Sequence, residues 1–237
     1  MRNEFLLTPD LIFLNHGSFG ACPREVLAAQ QRWQMEMESN PVEFLGRRSA
    51  GLLLQARKAL AQAMGASADE LVFVPNSTTG VNIVARSFPL QPGDEVLTTD
   101  LEYGACDAAW QHVCKKTGAI YRRIKVPLPY DRERLTQHLL AAVTGKTRLI
   151  YFSHITSTTA LILPAAELCA AARERGIATF VDGAHAPGQI PLDIDAINAD
   201  FYVGNCHKWL CAPKGSAFLH ARSEHQTMLE ANVISWG

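Results

Sequence analysis

A lysine, a carboxylate and two histidines stand directly behind apolar runs in the second half of this 237-residue sequence. Asn205-Cys206-His207-Lys208-Trp209 follows Phe201-Tyr202-Val203, and Thr179-Phe180-Val181 leads into Asp182-Gly183-Ala184-His185. An amine beside an acid and imidazoles can capture a carbonyl covalently and move protons. Taken alone, Lys208 reads equally well as a surface lysine after an edge strand. The choice turns on whether the fold brings Asp182 to it.

The residue types meet the requirements of a pyridoxal 5'-phosphate site. Its aldehyde needs an amine whose charge is discouraged, and Lys208 sits between His207 and Trp209-Leu210. Its ring nitrogen needs a fixed carboxylate, and Asp182 ends an apolar strand where an unpaired charge is costly. Its phosphate needs donors at a helix start. Ser77-Thr78-Thr79-Gly80 offers hydroxyls and N–H groups there, although the same residues make an ordinary N-cap. Asn205 and His207 could reach the phosphate from the lysine's own loop. Tyr103, opening a helix, could cover the ring face or pack in the core. His185 could contact the cofactor's 3'-oxygen or serve only its turn, and Ser157 could approach the same oxygen.

The elements that would place these groups follow from hydrophobic periodicity. Pro23 opens a helix to about Ser39, Asn40-Pro41 breaks it, and a second helix runs from Glu43 to about Met64 with Gly65 ending it. Strands are expected at residues 71–74, 95–98, 120–126, 149–152, 178–181, 201–203 and 215–220. Helices are expected through Val81, Val84 and Ala85, and at about 103–116, 132–142 and 164–175 between them. The last strand follows too short a connection for a helical crossover and is expected to be antiparallel. The pattern predicts an α/β fold, a three-layer sandwich around a mostly parallel seven-stranded sheet. Its ligands bind beyond the carboxyl ends of the strands. Residues 1–45 read as an N-terminal arm and helix, and 46–237 as the large cofactor-binding domain.

Composition narrows the class. With 48% hydrophobic and 19% charged residues and a net charge of -1, the chain is typical of soluble globular proteins. It has no basic block for nucleic acid and no apolar run of the ~20 residues a bilayer span needs. Without a leader-like start, the expectation is a cytoplasmic protein. Cys22, Cys106, Cys114, Cys169, Cys206 and Cys211 form no CxxC pair and read as reduced thiols. Cys206, His207 and Cys211 do not complete a zinc set. Gly145-Lys146-Thr147 ends like a phosphate loop, but position 140 is Leu and the stretch lies between a helix and a strand in the wrong order. No GxGxxG or GxSxG is present.

The order Asn-Ser-Thr-Thr-Gly, Glu-Tyr, Ser-His-x-Thr-Ser, Val-Asp-Gly-Ala-His and His-Lys-Trp resembles the class V aminotransferase family of fold-type-I pyridoxal phosphate enzymes. Residues 15–20, 40–44 and 204–209 are similar to segments of its isopenicillin N epimerase-like branch. The resemblance implies that Lys208 is the Schiff-base lysine and Asp182 the partner of the ring nitrogen. It also implies that Thr78, Thr79, Asn205 and His207 bind phosphate, that Tyr103 stacks on the ring and that His185 lies near the 3'-oxygen. His185 and Ser157 stand where desulfurase relatives often carry Gln and Asn. An amino acid would react at Cα by epimerisation, transamination or loss of a β-substituent, the last as in a C–S lyase or cysteine desulfurase. The resemblance further implies a homodimer and a C-terminal small domain that would begin near Gly237. The competing expectation is a cofactor-binding fragment without turnover.

Overall fold

The computed structural model describes residues 2–235. Seven strands form one sheet: β1 (Leu71–Val74), β2 (Glu95–Thr99), β3 (Ile120–Ile124), β4 (Thr147–Ser153), β5 (Ala178–Asp182), β6 (Phe201–Asn205) and β7 (Ala217–Ala221). Their order is β1-β7-β6-β5-β4-β2-β3. β2 to β6 run parallel, and β7 is antiparallel to both β6 and β1. The expected topology and the reversed last strand are both found, with strand ends moved by one or two residues.

The helices are α1 (Arg24–Ser39), α2 (Pro41–Glu43), α3 (Ser49–Met64), α4 (Ser77–Ser87), α5 (Gly104–Thr117), α6 (Arg132–Ala141), α7 (Ala165–Arg173) and α8 (Ile194–Ile197). A π-helical stretch at Phe44–Arg48 joins α2 to α3, so the helical run begins before Glu43 and residue 45 lies within it. Asn40 caps this run by accepting the Glu43 N–H at 3.2 Å. Gly65 ends it in the left-handed conformation, φ 60°. Among the described residues no helix is long and apolar enough to cross a membrane.

Both faces of the sheet are covered, which explains why its central strands are almost wholly apolar. Alternation along β4 sends Ile150 and Phe152 to the α3, α6, α7 and α8 side, and Leu149 and Tyr151 to the α4 and α5 side. The middle strands β5 and β6 divide likewise, Val181 and Tyr202 against Phe180, Phe201 and Val203. Three layers result, as expected from the sequence. All six cysteines are free, and five are buried.

Two contacts tie the carboxyl ends of the strands together. Asn205 at the end of β6 accepts the Ser77 N–H of α4 at 2.9 Å. Behind β2, the buried Glu102 carboxylate accepts from Thr99 Oγ1 and from Ser153 Oγ of β4, each at 2.6 Å. Burial pushes the Glu102 carboxyl up to about 8, against the pull of these two hydroxyls. α4 lies directly on β6: a Cβ on Gly80 would stand 2.6 Å from Val203 Cγ1.

These contacts set two stability predictions. Gly80→Ala should lower unfolding free energy by about 1–3 kcal/mol in urea titrations. Gly51→Ala, in α3 with nothing within 4 Å of the new methyl, should raise it by up to about 1 kcal/mol. For Glu102, the folded protein keeps a proton that the unfolded chain has lost between pH 4.5 and about 8. Stability from this group is therefore full below that window and falls as pH rises through it. Glu102→Gln removes the loss, so the variant should gain on the parent across the window, by about 1 kcal/mol per pH unit at most. Parallel urea midpoints for parent and variant would contradict the assignment.

Candidate active site

A cavity of about 500 Å³ opens at the carboxyl ends of β4, β5 and β6. Its floor is set by strand register, which places Ser153 beside Asp182. Its walls come from the turn before α4, the start of α5, the loop between β6 and β7, and residues 17–19 of the N-terminal arm. Thr78, Tyr103, Ser157, Asp182, His185, Asn205, His207 and Lys208 all line it.

Asp182 is 3% exposed. Its Oδ1 accepts the Ala184 N–H at 3.0 Å, and its Oδ2 accepts the Tyr151 hydroxyl at 3.0 Å. The Cys106 thiol lies 3.6 Å from the same Oδ2. Burial, and then the carboxylate itself, hold Tyr151 and Cys106 in their protonated forms. Among the described residues no cationic side chain forms an ion pair with Asp182.

Lys208 rides on the return from β6 to β7. That loop is closed by Cys206 N–H and His207 N–H donating to the Ser216 carbonyl, both at 3.1 Å. The N-terminal arm braces it from outside, with Gly20 N–H donating to the His207 carbonyl at 3.2 Å. A Cβ on Gly20 would stand 2.2 Å from the Lys208 carbonyl oxygen, so only glycine permits this approach. Lys208 Nζ is 3.1 Å from His185 Nε2 and 6.0 Å from the centre of the Tyr103 ring. Burial lowers its pKa, although the Asp182 carboxylate pulls the other way. The amine is thus favoured as a nucleophile and base.

The start of α4 lines the same cavity as the lysine. Asn76 caps α4 by accepting the Thr79 N–H at 2.8 Å. Ser77 is 2% exposed and its hydroxyl has no hydrogen-bond partner. A buried orphan hydroxyl at a helix N-terminus suits an oxyanion. Thr78 lines the cavity beside it. Thr79 does not: its hydroxyl lies 3.1 Å from Asn76 Oδ1, and the residue faces a neighbouring hollow with Asn82 and Arg86. His207 Nδ1 is bound to the Ser216 carbonyl at 2.8 Å, and burial lowers the ring's pKa. Cys206, by contrast, is 5% exposed in the core, with its thiol pushed up to about 12 by burial.

Sequence reasoning missed several members of this site. Gly17, Ser18 and Phe19 form one wall; the family resemblance covered residues 15–20, but nothing in the sequence placed them at the site. The Ser77 hydroxyl was among those the sequence offered at the start of α4, but the Tyr151 and Cys106 contacts to Asp182 had no sequence signal, because they depend on which strand faces which. Lys214 also lines the cavity, its Nζ donating to the Gly20 carbonyl.

The donor set fits pyridoxal 5'-phosphate: a buried carboxylate lacking a cation, an amine held toward neutrality, and an empty-handed hydroxyl at a helix start. Known proteins match in the same sense. The sequence is 43% identical to an isopenicillin N epimerase of Streptomyces clavuligerus over 99% of this chain and 59% of that protein. It is 36% identical to a putative L-cysteine desulfhydrase of Oryza sativa subsp. japonica, over 89% of this chain and 47% of the relative. A solved structure of the C-DES enzyme, with glycine covalently linked to its PLP cofactor, superposes with a TM-score of 0.91 at 27% identity. That match covers 100% of this chain and 63% of the other. The chain thus spans between 47% and 59% of the length of these two curated relatives. The family profile described as aminotransferase class-V matches residues 12–234, and the chain belongs to that family.

Proposed function

We propose that the protein is a pyridoxal 5'-phosphate-dependent enzyme acting at the Cα of an amino-acid substrate, of the isopenicillin N epimerase-like type. The observation that carries this reading is Asp182, a carboxylate buried without an ion-pair partner in a cavity that also holds the half-buried Lys208. A buried charge is retained at a cost unless something cationic meets it. A protonated pyridine nitrogen answers that need. Bound there, the cofactor would supply an aldehyde for amines and a cationic ring that withdraws electrons from the substrate Cα.

The chain's own residues then have distinct tasks. Asp182 holds the proton on the ring nitrogen, with Tyr151 and Ala184 fixing the carboxylate's orientation. Lys208 would be the amine that holds the cofactor's aldehyde, and its free amine would carry the Cα proton. Ser77, Thr78, the start of α4, Asn205 and His207 receive the phosphate. Tyr103 covers one ring face, and His185 and Ser157 stand on the side of the ring oxygen. Thr79 contributes through the cap that orients α4. Residues 46–237 form the cofactor-binding domain in this reading, with 1–45 as an arm that closes on it. Cytoplasmic residence and a homodimer belong to the same proposal. The exposed apolar surface of Leu53, Leu54, Val72 and Phe73 supports a partner there.

A second reading, a C–S lyase or cysteine desulfurase-like enzyme, is favoured by the 36% identity to the rice desulfhydrase and by the likeness to C-DES, described as a cystine C–S lyase. Both readings use the same lysine and carboxylate.

Mixing the purified protein with pyridoxal 5'-phosphate should produce a visible absorption band that Lys208→Ala lacks. Absence of the band in the parent protein overturns the cofactor assignment. Asp182→Ala should weaken cofactor binding by about 3 kcal/mol, on the order of 100-fold, read by titrating the band. Amino acids then separate the readings. Deuterium uptake at Cα with the side chain intact supports epimerase or aminotransferase chemistry, and sulfide release from cysteine or cystine supports the lyase. A band that no amino acid alters points to a cofactor-binding chain without turnover.

A further inference from the structure

His185 is held from two sides by the lysine loop. Trp209, the residue after Lys208, donates its indole Nε1–H to His185 Nδ1 at 3.2 Å, while His185 Nε2 lies 3.1 Å from Lys208 Nζ. An indole nitrogen can only donate. Nδ1 therefore presents a lone pair, and a neutral ring must carry its proton on Nε2. Burial, and then Lys208, push the His185 pKa down to about 4, so the ring is neutral near pH 7.

The neighbours leave the ring little room to escape this arrangement. A Cβ on Gly17 would stand 3.1 Å from His185 Cε1 and 3.2 Å from Nδ1, which shows how closely the N-terminal arm covers that edge. The indole is fixed in turn. His16 lies against it with ring centres 5.9 Å apart and a 32° tilt, and a Cβ on Gly188 would stand 2.6 Å from the Trp209 carbonyl oxygen.

We propose that Trp209 is a positioning residue that selects the Nε2–H form of His185, making His185 a donor toward Lys208 Nζ and toward the cofactor's ring oxygen. The part concerning the ring oxygen rests on the cofactor reading above; the part concerning the histidine and the lysine does not. An Nε2–H pointing at Nζ needs a lone pair in return. An ammonium has three donors and no acceptor, so the charged form of Lys208 would oppose the histidine. The indole therefore acts on the lysine through one imidazole, favouring the free amine. Without the indole, the ring can move its proton to Nδ1 and let Nε2 accept from an ammonium.

The test is nitrogen NMR on the cofactor-free, full-length chain labelled with 15N-histidine, with the His185 signals assigned by their loss in His185→Phe. The expected result is a protonated Nε2 and an unprotonated Nδ1 in the parent protein. In Trp209→Phe, an Nδ1–H population should appear and draw the two resonances toward each other. A proton on Nδ1 in the parent, or His185 resonances that coincide in parent and variant, overturns the proposal. Should Trp209→Phe not fold, 15N-indole labelling reads the same bond from the other end. The Trp209 N–H should exchange slowly with solvent and lose that protection in His185→Phe. Equal exchange in both proteins overturns it. Because none of these signals needs cofactor, a chain that fails to bind pyridoxal phosphate yet shows the Nε2–H form sinks the cofactor reading alone.

Discussion

The constraint on which the site depends is the burial of one carboxylate at the end of β5. Asp182 receives hydrogen bonds from Ala184 N–H and the Tyr151 hydroxyl, with the Cys106 thiol close by; among the described residues it forms no ion pair, although its charge acts on the Lys208 amine. Hydrogen bonds can hold an ionised carboxylate in a protein interior, but they leave its charge uncompensated. The fold supports that cost with dense packing immediately around it. Tyr151 is itself fully buried against Trp110 and Phe180, so its hydroxyl has one direction in which to point. A site strained in this electrostatic sense is matched to a cationic ligand, whereas a purely structural core would have used an apolar residue here.

The second organising feature is the reversal of β7. Because β7 returns antiparallel beside β6, residues 206–216 form a loop with no helix in it, closed at its base by backbone bonds. Lys208 gains its reach from that freedom and its precision from outside contacts: the arm at Gly20, the histidine at His185 and the turn at Cys211, which takes φ 58°. Residues far apart in sequence thereby act on one amine. The N-terminal arm is part of the cavity wall rather than an appendage, and its close approach at Gly20 leaves no room for a side chain.

The fold was legible in the sequence where one physical signal dominated. Short runs of three to seven residues marked all seven strands, and those of the central parallel strands are almost wholly apolar because both their faces are covered. The short connection before β7 gave its direction. Lys208 and Asp182 could be placed just beyond neighbouring strands from sequence, and the structure brings both to one cavity. Thr78 and Thr79 were not separable by type: neighbours on the first turn of a helix point in different directions, and Asn76 engages only Thr79. The π-helical stretch at residues 44–48 left no signature, for the apolar spacing on either side of it still reads as one helix. Contacts such as Trp209 to His185 depend on loop conformation, which periodicity does not encode.

The cavity also divides the chemistry of the protein into two parts. The groups assigned above to the cofactor line one cavity: Asp182 for the ring nitrogen, Lys208 for the aldehyde, the start of α4 for the phosphate and Tyr103 for one face. The features that would select a substrate are sparse. Among the described residues no arginine lines the cavity, and Lys214 is engaged with the Gly20 carbonyl. A substrate's α-carboxylate would thus meet few fixed cations on this surface. Fixing the cofactor and discriminating among amino acids are separate demands, because the first is met by groups on strand ends and the second by whatever covers the open face. Relatives described as an epimerase and as desulfhydrases fit such a division, since one fold can carry different chemistries.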